Sequence, residues 1–124
     1  MQSPQQLAEL YEKFYQQNGF NYEPDGLYQP VRHILNIPGK RIRPMFVLTA
    51  CDMFNGNLQE ALNAAFAMEV FHNFTLVHDD VMDNADIRRG VPTVHKIYGL
   101  NEAILAGDVM LSYGYKYLLK ITPI

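Results

Sequence analysis

The chain has no tryptophan, a single cysteine, no surplus of positive charge and no long apolar run, and each shortage removes a class of explanation. Cys51 alone cannot close an internal disulfide, so the framework is not cross-linked and suits a reducing compartment. A formal net charge of −3 with no basic stripe argues against nucleic acid as a partner. No apolar stretch approaches the ~18 residues of a membrane span. Nor does the start, Met1 to Leu10, show the basic-then-apolar order of an export signal. A soluble, cytoplasmic protein is the default expectation. Repeats and low-complexity tracts are also missing, and no change of composition marks an internal domain boundary in 1–124.

What is present is helical patterning from end to end. Ser3-Pro4-Gln5-Gln6 supplies an N-cap, a first-turn proline and a capping-box glutamine. Leu7, Leu10, Tyr11 and Phe14 then form an apolar stripe that ends near Gly19, so this helix packs by one face. Further helices are expected over Leu27–Leu35, over Pro44–Phe54 with Asn55-Gly56 as the stop, and over Leu58 to about Asn84. A loop over Asp86–Thr93, a short helix around Val94–Tyr98 and a last helix capped by Asn101 and running through Ile121 complete an all-α layout.

The longest of these helices carries the chemistry. Glu69, His72, Leu76, Asp79 and Asp83 step by three or four residues, which at about 100° per residue makes one stripe. Around it lie Phe66, Val70, Phe71, Phe74, Val77 and Val81, apolar on several faces as in the interior of a bundle. Carboxylates gathered there repel one another and need a cation between them. Oxygen ligands without a nearby thiolate suit Mg²⁺, which keeps waters and binds through one or two carboxylates plus substrate phosphates. In the DDxxD string Asp79-Asp80-Val81-Met82-Asp83, Asp79 and Asp83 can reach one metal cluster, while Asp80, about 100° around the helix, acts less directly. The plain alternative is a solvated helix end. His72 is equally open between a ligand and a core histidine bonded to a carbonyl, and Asp108, among Leu105, Val109 and Met110, reads as a buried, internally satisfied carboxylate.

Two basic clusters flank this helix in sequence: Gly39-Lys40-Arg41-Ile42-Arg43-Pro44 before it and Arg88-Arg89-Gly90 after it. Arginine forks and lysine point charges suit two anionic groups. With Pro44 as the first helical residue, Lys40 and Arg43 stand beside a helix N-terminus, where anions bind readily.

In these residues the chain resembles the N-terminal part of a trans-type polyprenyl (isoprenyl) diphosphate synthase. Four segments match in order: Gly39 to Pro44, Glu69 to His72, His78 to Gly90, and Leu105-Ala106-Gly107-Asp108. Pro38 departs from a glycine common in the family, a change that stiffens the turn and removes no ligand. The resemblance implies part of the isoprenoid synthase helical bundle and a homodimer. It implies that Lys40, Arg43, His72 and Arg89 hold isopentenyl diphosphate, that Arg88 grips an allylic diphosphate, and that Asp79 and Asp83 bind the bridging Mg²⁺. The activity implied is Mg²⁺-dependent, head-to-tail condensation of isopentenyl diphosphate with dimethylallyl, geranyl or farnesyl diphosphate, with Asp79, Asp80, Asp83 and Arg88 as the catalytic set.

In that family, bulk four or five places before the first aspartate acts as a floor for the growing chain. Phe74 without an aromatic at Thr75 therefore suggests a product of medium length, such as geranylgeranyl diphosphate. A second aspartate-rich motif is expected of the family and no part of 1–124 supplies it, so the chain alone is expected to be nearly inactive and to dimerise or aggregate. Two alternatives remain at this level. One is a non-catalytic, diphosphate-binding subunit of a heteromeric prenyltransferase. The other is an HD-type metal phosphohydrolase suggested by His78-Asp79, which leaves both basic clusters unexplained.

Overall fold

Ser3 opens the fold with the reciprocal cap its sequence predicts. Its Oγ accepts from the Gln6 N–H at 3.1 Å, while the Gln6 side-chain oxygen accepts from the Ser3 N–H at 2.8 Å. In the computed structural model, which describes residues 1–121, this cap starts helix α1 (Pro4–Gln17). Helices α2 (Asp25–Leu35), α3 (Ile42–Met53) and α4 (Leu58–Met82) follow. A ribbon of β1 (Ile87–Arg88) and β2 (Val91–Pro92) leads to α5 (Val94–Tyr98) and α6 (Leu100–Leu118). No helix among the described residues is long and apolar enough to cross a membrane.

The helix ends have local causes, and some differ from the sequence expectation. Helix α3 starts at Ile42, with Arg41 as N-cap in the left-handed region (φ 54°), so Pro44 is its third residue and not its first. Proline is tolerated there because the first-turn N–H groups have no intrahelical partner anyway. Helix α4 is capped by Asn57, whose Oδ1 accepts from Gln59 and Glu60. Helix α6 starts one residue before Asn101, directly after Gly99, whose carbonyl takes the first helical bond from Ala103.

Contacts divide the described residues into two compact units. The first holds 1–19, 40–69 and the chain from Tyr113 onward; the second holds 20–39 and 70–112. Helices α4 and α6 thus contribute to both. In the first unit α1 packs on α3. Leu7, Tyr11, Tyr15, Leu48, Leu62 and Phe66 are buried, and Phe66 meets Phe14 and Tyr117 edge to face at 5.6 and 4.8 Å. Each such ring pair adds about 1 kcal/mol beyond the area it buries. The Tyr117 hydroxyl, buried with its ring, donates to Asn18 Oδ1 at 2.9 Å.

In the second unit α2 packs on α5, and Phe20, Val31, Ile34, Leu35, Val70, Val77, Ala106 and Met110 form the core. Arg32 holds the start of this unit by donating to the Phe20 carbonyl at 2.7 Å and pairing with Asp25. Helices α4 and α6 meet where Gly107 faces the His78 ring: a Cβ on Gly107 would stand 2.2 Å from His78 Nε2. That nitrogen donates to the Ile104 carbonyl at 3.0 Å. Asp108 is turned outward with a 60% exposed side chain, 3.8 Å from the same nitrogen, so the expectation of a buried carboxylate is wrong. The glycine admits the imidazole to the helix backbone, and the carboxylate next to it is left in solvent.

Candidate functional site

The acidic motif ends helix α4, and the way the helix stops sets which carboxylates reach solvent. Asn84 takes the left-handed conformation (φ 51°); its N–H bonds the Val81 carbonyl at 3.2 Å and the next N–H, of Ala85, bonds the Asp80 carbonyl at 2.9 Å. This is a Schellman close, with asparagine in the position that favours a residue at positive φ. The helix therefore ends within the DDxxD string. Asp79 and Asp83 lie one turn apart and both are exposed, whereas Asp80, between them in sequence, is only 5% exposed.

Asp80 is neutralised from within the chain. Arg88 donates from Nε to Asp80 Oδ2 and from Nη2 to Oδ1, both at 2.8 Å, a two-pronged fork. This hydrogen bonding, the largest effect, raises the Arg88 pKa against a smaller lowering by burial. Asp80 does not use Nη1, so the arginine is fixed at one edge and keeps donors at another. Arg88 can be held in place because it sits in β1, opposite Val91, in a ribbon where the sequence pattern suggests only a loop. Arg89 and Gly90 are the two turn residues, both at positive φ (50° and 77°), as a type I′ turn requires. The ribbon is anchored by Thr93, whose hydroxyl donates to the Ala85 carbonyl at 2.8 Å.

Arg89 reaches back to the start of the Gly39 turn and donates from Nη1 to the Pro38 carbonyl at 3.3 Å. A Cβ on Gly39 would stand 2.3 Å from that nitrogen, so the glycine is what lets the guanidinium approach the backbone. Pro38, where the family often has glycine, contributes through its carbonyl and so costs no donor.

The donors at the end of α4 fit Mg²⁺. Among the described residues no three His, Cys, Asp or Glu side chains form a ready-made metal cage. Two exposed carboxylates one turn apart are what an ion needs that retains water and takes its other ligands from phosphates. His78 is engaged with the Ile104 carbonyl through Nε2. Before Asp79, Phe74 is half-buried between rings, 4.9 Å from His78 and 5.5 Å from Phe71. Phe71, whose apolar neighbours suggest a bundle interior, is 44% exposed and extends this aromatic row. Thr75 donates its hydroxyl to the His72 carbonyl at 2.6 Å, so its polar group is spent on its own helix. His72 itself is half-buried.

In the first unit, Lys40 and Arg43 are exposed on either side of the α3 start. Glu69 does not join the acidic array. Its side chain is 14% exposed and lies 3.7 Å from Arg41 Nη1, so spacing alone overcounted the carboxylate stripe.

Comparison with known proteins identifies the family and the fold of the chain. Residues 24–123 match the Polyprenyl synthetase family. A geranylgeranyl pyrophosphate synthase from Geoglobus acetivorans is 47% identical over 96 residues, which are 77% of this chain and 30% of that protein. A chloroplastic geranylgeranyl pyrophosphate synthase from Capsicum annuum is 45% identical over 102 residues, 81% of this chain and 28% of that one. A crystal structure of a geranylgeranyl pyrophosphate synthase superposes with a TM-score of 0.92 at 43% identity, covering 98% of this chain and 37% of its own. The chain spans less than a third of the length of these two relatives. Its fold is that part of the isoprenoid synthase helical bundle, and the chain belongs to the polyprenyl synthetase family.

Proposed function

We propose that this segment carries the first aspartate-rich motif and the basic clusters of a polyprenyl diphosphate synthase. The complete enzyme would condense isopentenyl diphosphate head-to-tail with dimethylallyl, geranyl or farnesyl diphosphate. The observation that carries this reading is the division of labour in the DDxxD string: Asp79 and Asp83 are exposed, while Asp80 is buried against Arg88. A surface helix end would have no reason to bury one carboxylate under an arginine fork and expose its two neighbours.

Asp79 and Asp83 would hold Mg²⁺, which when bound supplies Lewis-acid stabilisation of the departing pyrophosphate. Arg88, fixed by Asp80, offers its Nη1 edge to the allylic diphosphate, a donor already oriented where negative charge develops. Lys40 and Arg43, and separately His72 and Arg89, carry the donors that the family resemblance assigns to isopentenyl diphosphate. As the allylic C–O bond breaks, the isopentenyl double bond supplies the electron pair of the new C–C bond. Loss of a proton then restores an allylic diphosphate. In this scheme Asp80 is a positioning residue that acts through Arg88.

The HD-type phosphohydrolase is less well supported, since His78 spends Nε2 on a carbonyl of α6 and the basic clusters stay idle in it. We assign turnover to an assembly larger than this chain, cytoplasmic and homodimeric. Exposed apolar groups such as Phe46 (71%) and Phe54 (84%) support association, and a diphosphate-binding subunit is the second reading. The test is calorimetric titration with a non-hydrolysable allylic thiolodiphosphate. Binding that needs Mg²⁺ and is lost in Asp79→Asn/Asp83→Asn is expected. Equal affinity in EDTA, or in the double variant, would rule out the metal bridge. In a catalytically competent form, Phe74→Ala should give longer products, and an unchanged product length would remove Phe74 from the floor of the chain-length cavity.

A further inference from the structure

Arg41 stands in sequence between Lys40 and Arg43, yet its side chain goes elsewhere. Both neighbours are exposed, whereas the Arg41 side chain is 22% exposed. Its guanidinium carbon lies 4.7 Å from the ring centre of Tyr15 and 5.9 Å from that of Tyr11, with Glu69 Oε1 3.7 Å from Nη1. Tyr11, Tyr15 and Glu69 belong to α1 and α4, so one side chain ties the α3 start to two other helices of its unit. The backbone at the same residue is left-handed (φ 54°). A residue with a Cβ adopts that conformation at a cost and needs compensation from its surroundings.

Resting on the assignment of Lys40 and Arg43 to a diphosphate, we propose that Arg41 is a positioning residue for that site. Its cation–π and ion-pair contacts lock the left-handed turn and so keep Lys40 and Arg43 directed outward from the α3 N-terminus. The stacking geometry explains the choice of arginine. A planar guanidinium covers a ring face while still reaching Glu69, and a lysine ammonium cannot do both. Burial raises the pKa of both phenols, Tyr11 and Tyr15, and the nearby Arg41 charge opposes that rise at each.

The test uses inorganic pyrophosphate as probe, titrated calorimetrically into the wild-type chain and into Lys40→Gln, Arg41→Lys and Tyr15→Leu, together with amide exchange over 39–45 and thermal unfolding. Arg41→Lys preserves charge and should fold. It is expected to weaken pyrophosphate binding about tenfold, the scale of a cation–π contact and an ion pair lost together. Exchange at the turn should rise, and the Arg41→Lys/Tyr15→Leu double variant should bind no worse than the weaker single one, because the two residues act as a unit. If the wild type takes up no pyrophosphate, or Lys40→Gln binds as tightly as wild type, the diphosphate assignment falls and the positioning role with it. If Lys40→Gln binds weakly but Arg41→Lys matches wild type in affinity or in exchange at the turn, the assignment stands and Arg41 has no positioning role.

Discussion

The two basic clusters solve one problem in different ways. Each commits one arginine to a carboxylate of helix α4 and leaves a neighbouring cation outside: Arg41 lies by Glu69 with Lys40 and Arg43 exposed, and Arg88 is on Asp80 with Arg89 exposed. The grips differ in kind. Arg88 makes two charge-assisted hydrogen bonds at 2.8 Å to a 5% exposed carboxylate. Arg41 approaches Glu69 at 3.7 Å and lies against two tyrosine faces. A fork fixes direction, so Arg88 can itself serve as an oriented donor. A stacked guanidinium fixes a plane, which suits a residue whose task is to hold a turn. Under the proposed assignments, the difference is between an anchored ligand group and an anchor for other ligand groups.

Removing the carboxylates tests that contrast, and the larger effect belongs to Asp80. Asp80→Ala takes away both hydrogen bonds to a charged, mostly buried group and should cost about 3 kcal/mol in chemical denaturation. Arg88 should lose its orientation at the same time, so affinity for an allylic thiolodiphosphate should fall even with Asp79 and Asp83 intact. A cost near zero would mean that water replaces the fork and that the pair is incidental. Glu69→Gln should cost less than about 1 kcal/mol, the range of a single partly exposed ion pair, and leave pyrophosphate binding within a few-fold of wild type. If Glu69→Gln matched Asp80→Ala in either measurement, the two grips would be equivalent and the contrast would collapse.

The same pair of clusters marks how far the sequence could be read. All six helices were visible from caps and periodicity, since Ser3, Pro4 and Gln6 or Asn55-Gly56 act locally and leave a local mark. The acidic motif and both runs of cations were visible by residue type. The direction of each side chain was not. Glu69 was grouped with Asp79 because helical spacing reports the face of one helix and is blind to a partner 28 residues earlier in the chain, Arg41. The apolar neighbours of Asp108 suggest burial, whereas Gly107 admits His78 and leaves Asp108 in solvent. The ribbon escaped because strands of two residues cannot display alternation, and Arg89-Gly90 lacks the asparagine or aspartate that announces a two-residue hairpin turn.

That missing turn signal gives the finest test of the contrast, because it sets local stability against ligand binding at one residue. Arg89 occupies a left-handed turn position (φ 50°) where asparagine is favoured, and its guanidinium makes a 3.3 Å hydrogen bond to the Pro38 carbonyl. Arg89→Asn should relieve about 1 kcal/mol of backbone cost and forfeit a long hydrogen bond of smaller worth, for a net stabilisation of about 0.5 kcal/mol. Pyrophosphate affinity should fall in the same variant, since a guanidinium has been exchanged for a neutral amide. A gain in denaturation midpoint with weaker binding would show strain retained for recognition, in line with the left-handed Arg41 of the other cluster. A loss of stability with unchanged binding would instead make Arg89 a structural strut between the ribbon and Pro38, and the outside cation of the second cluster would no longer correspond to Lys40 and Arg43.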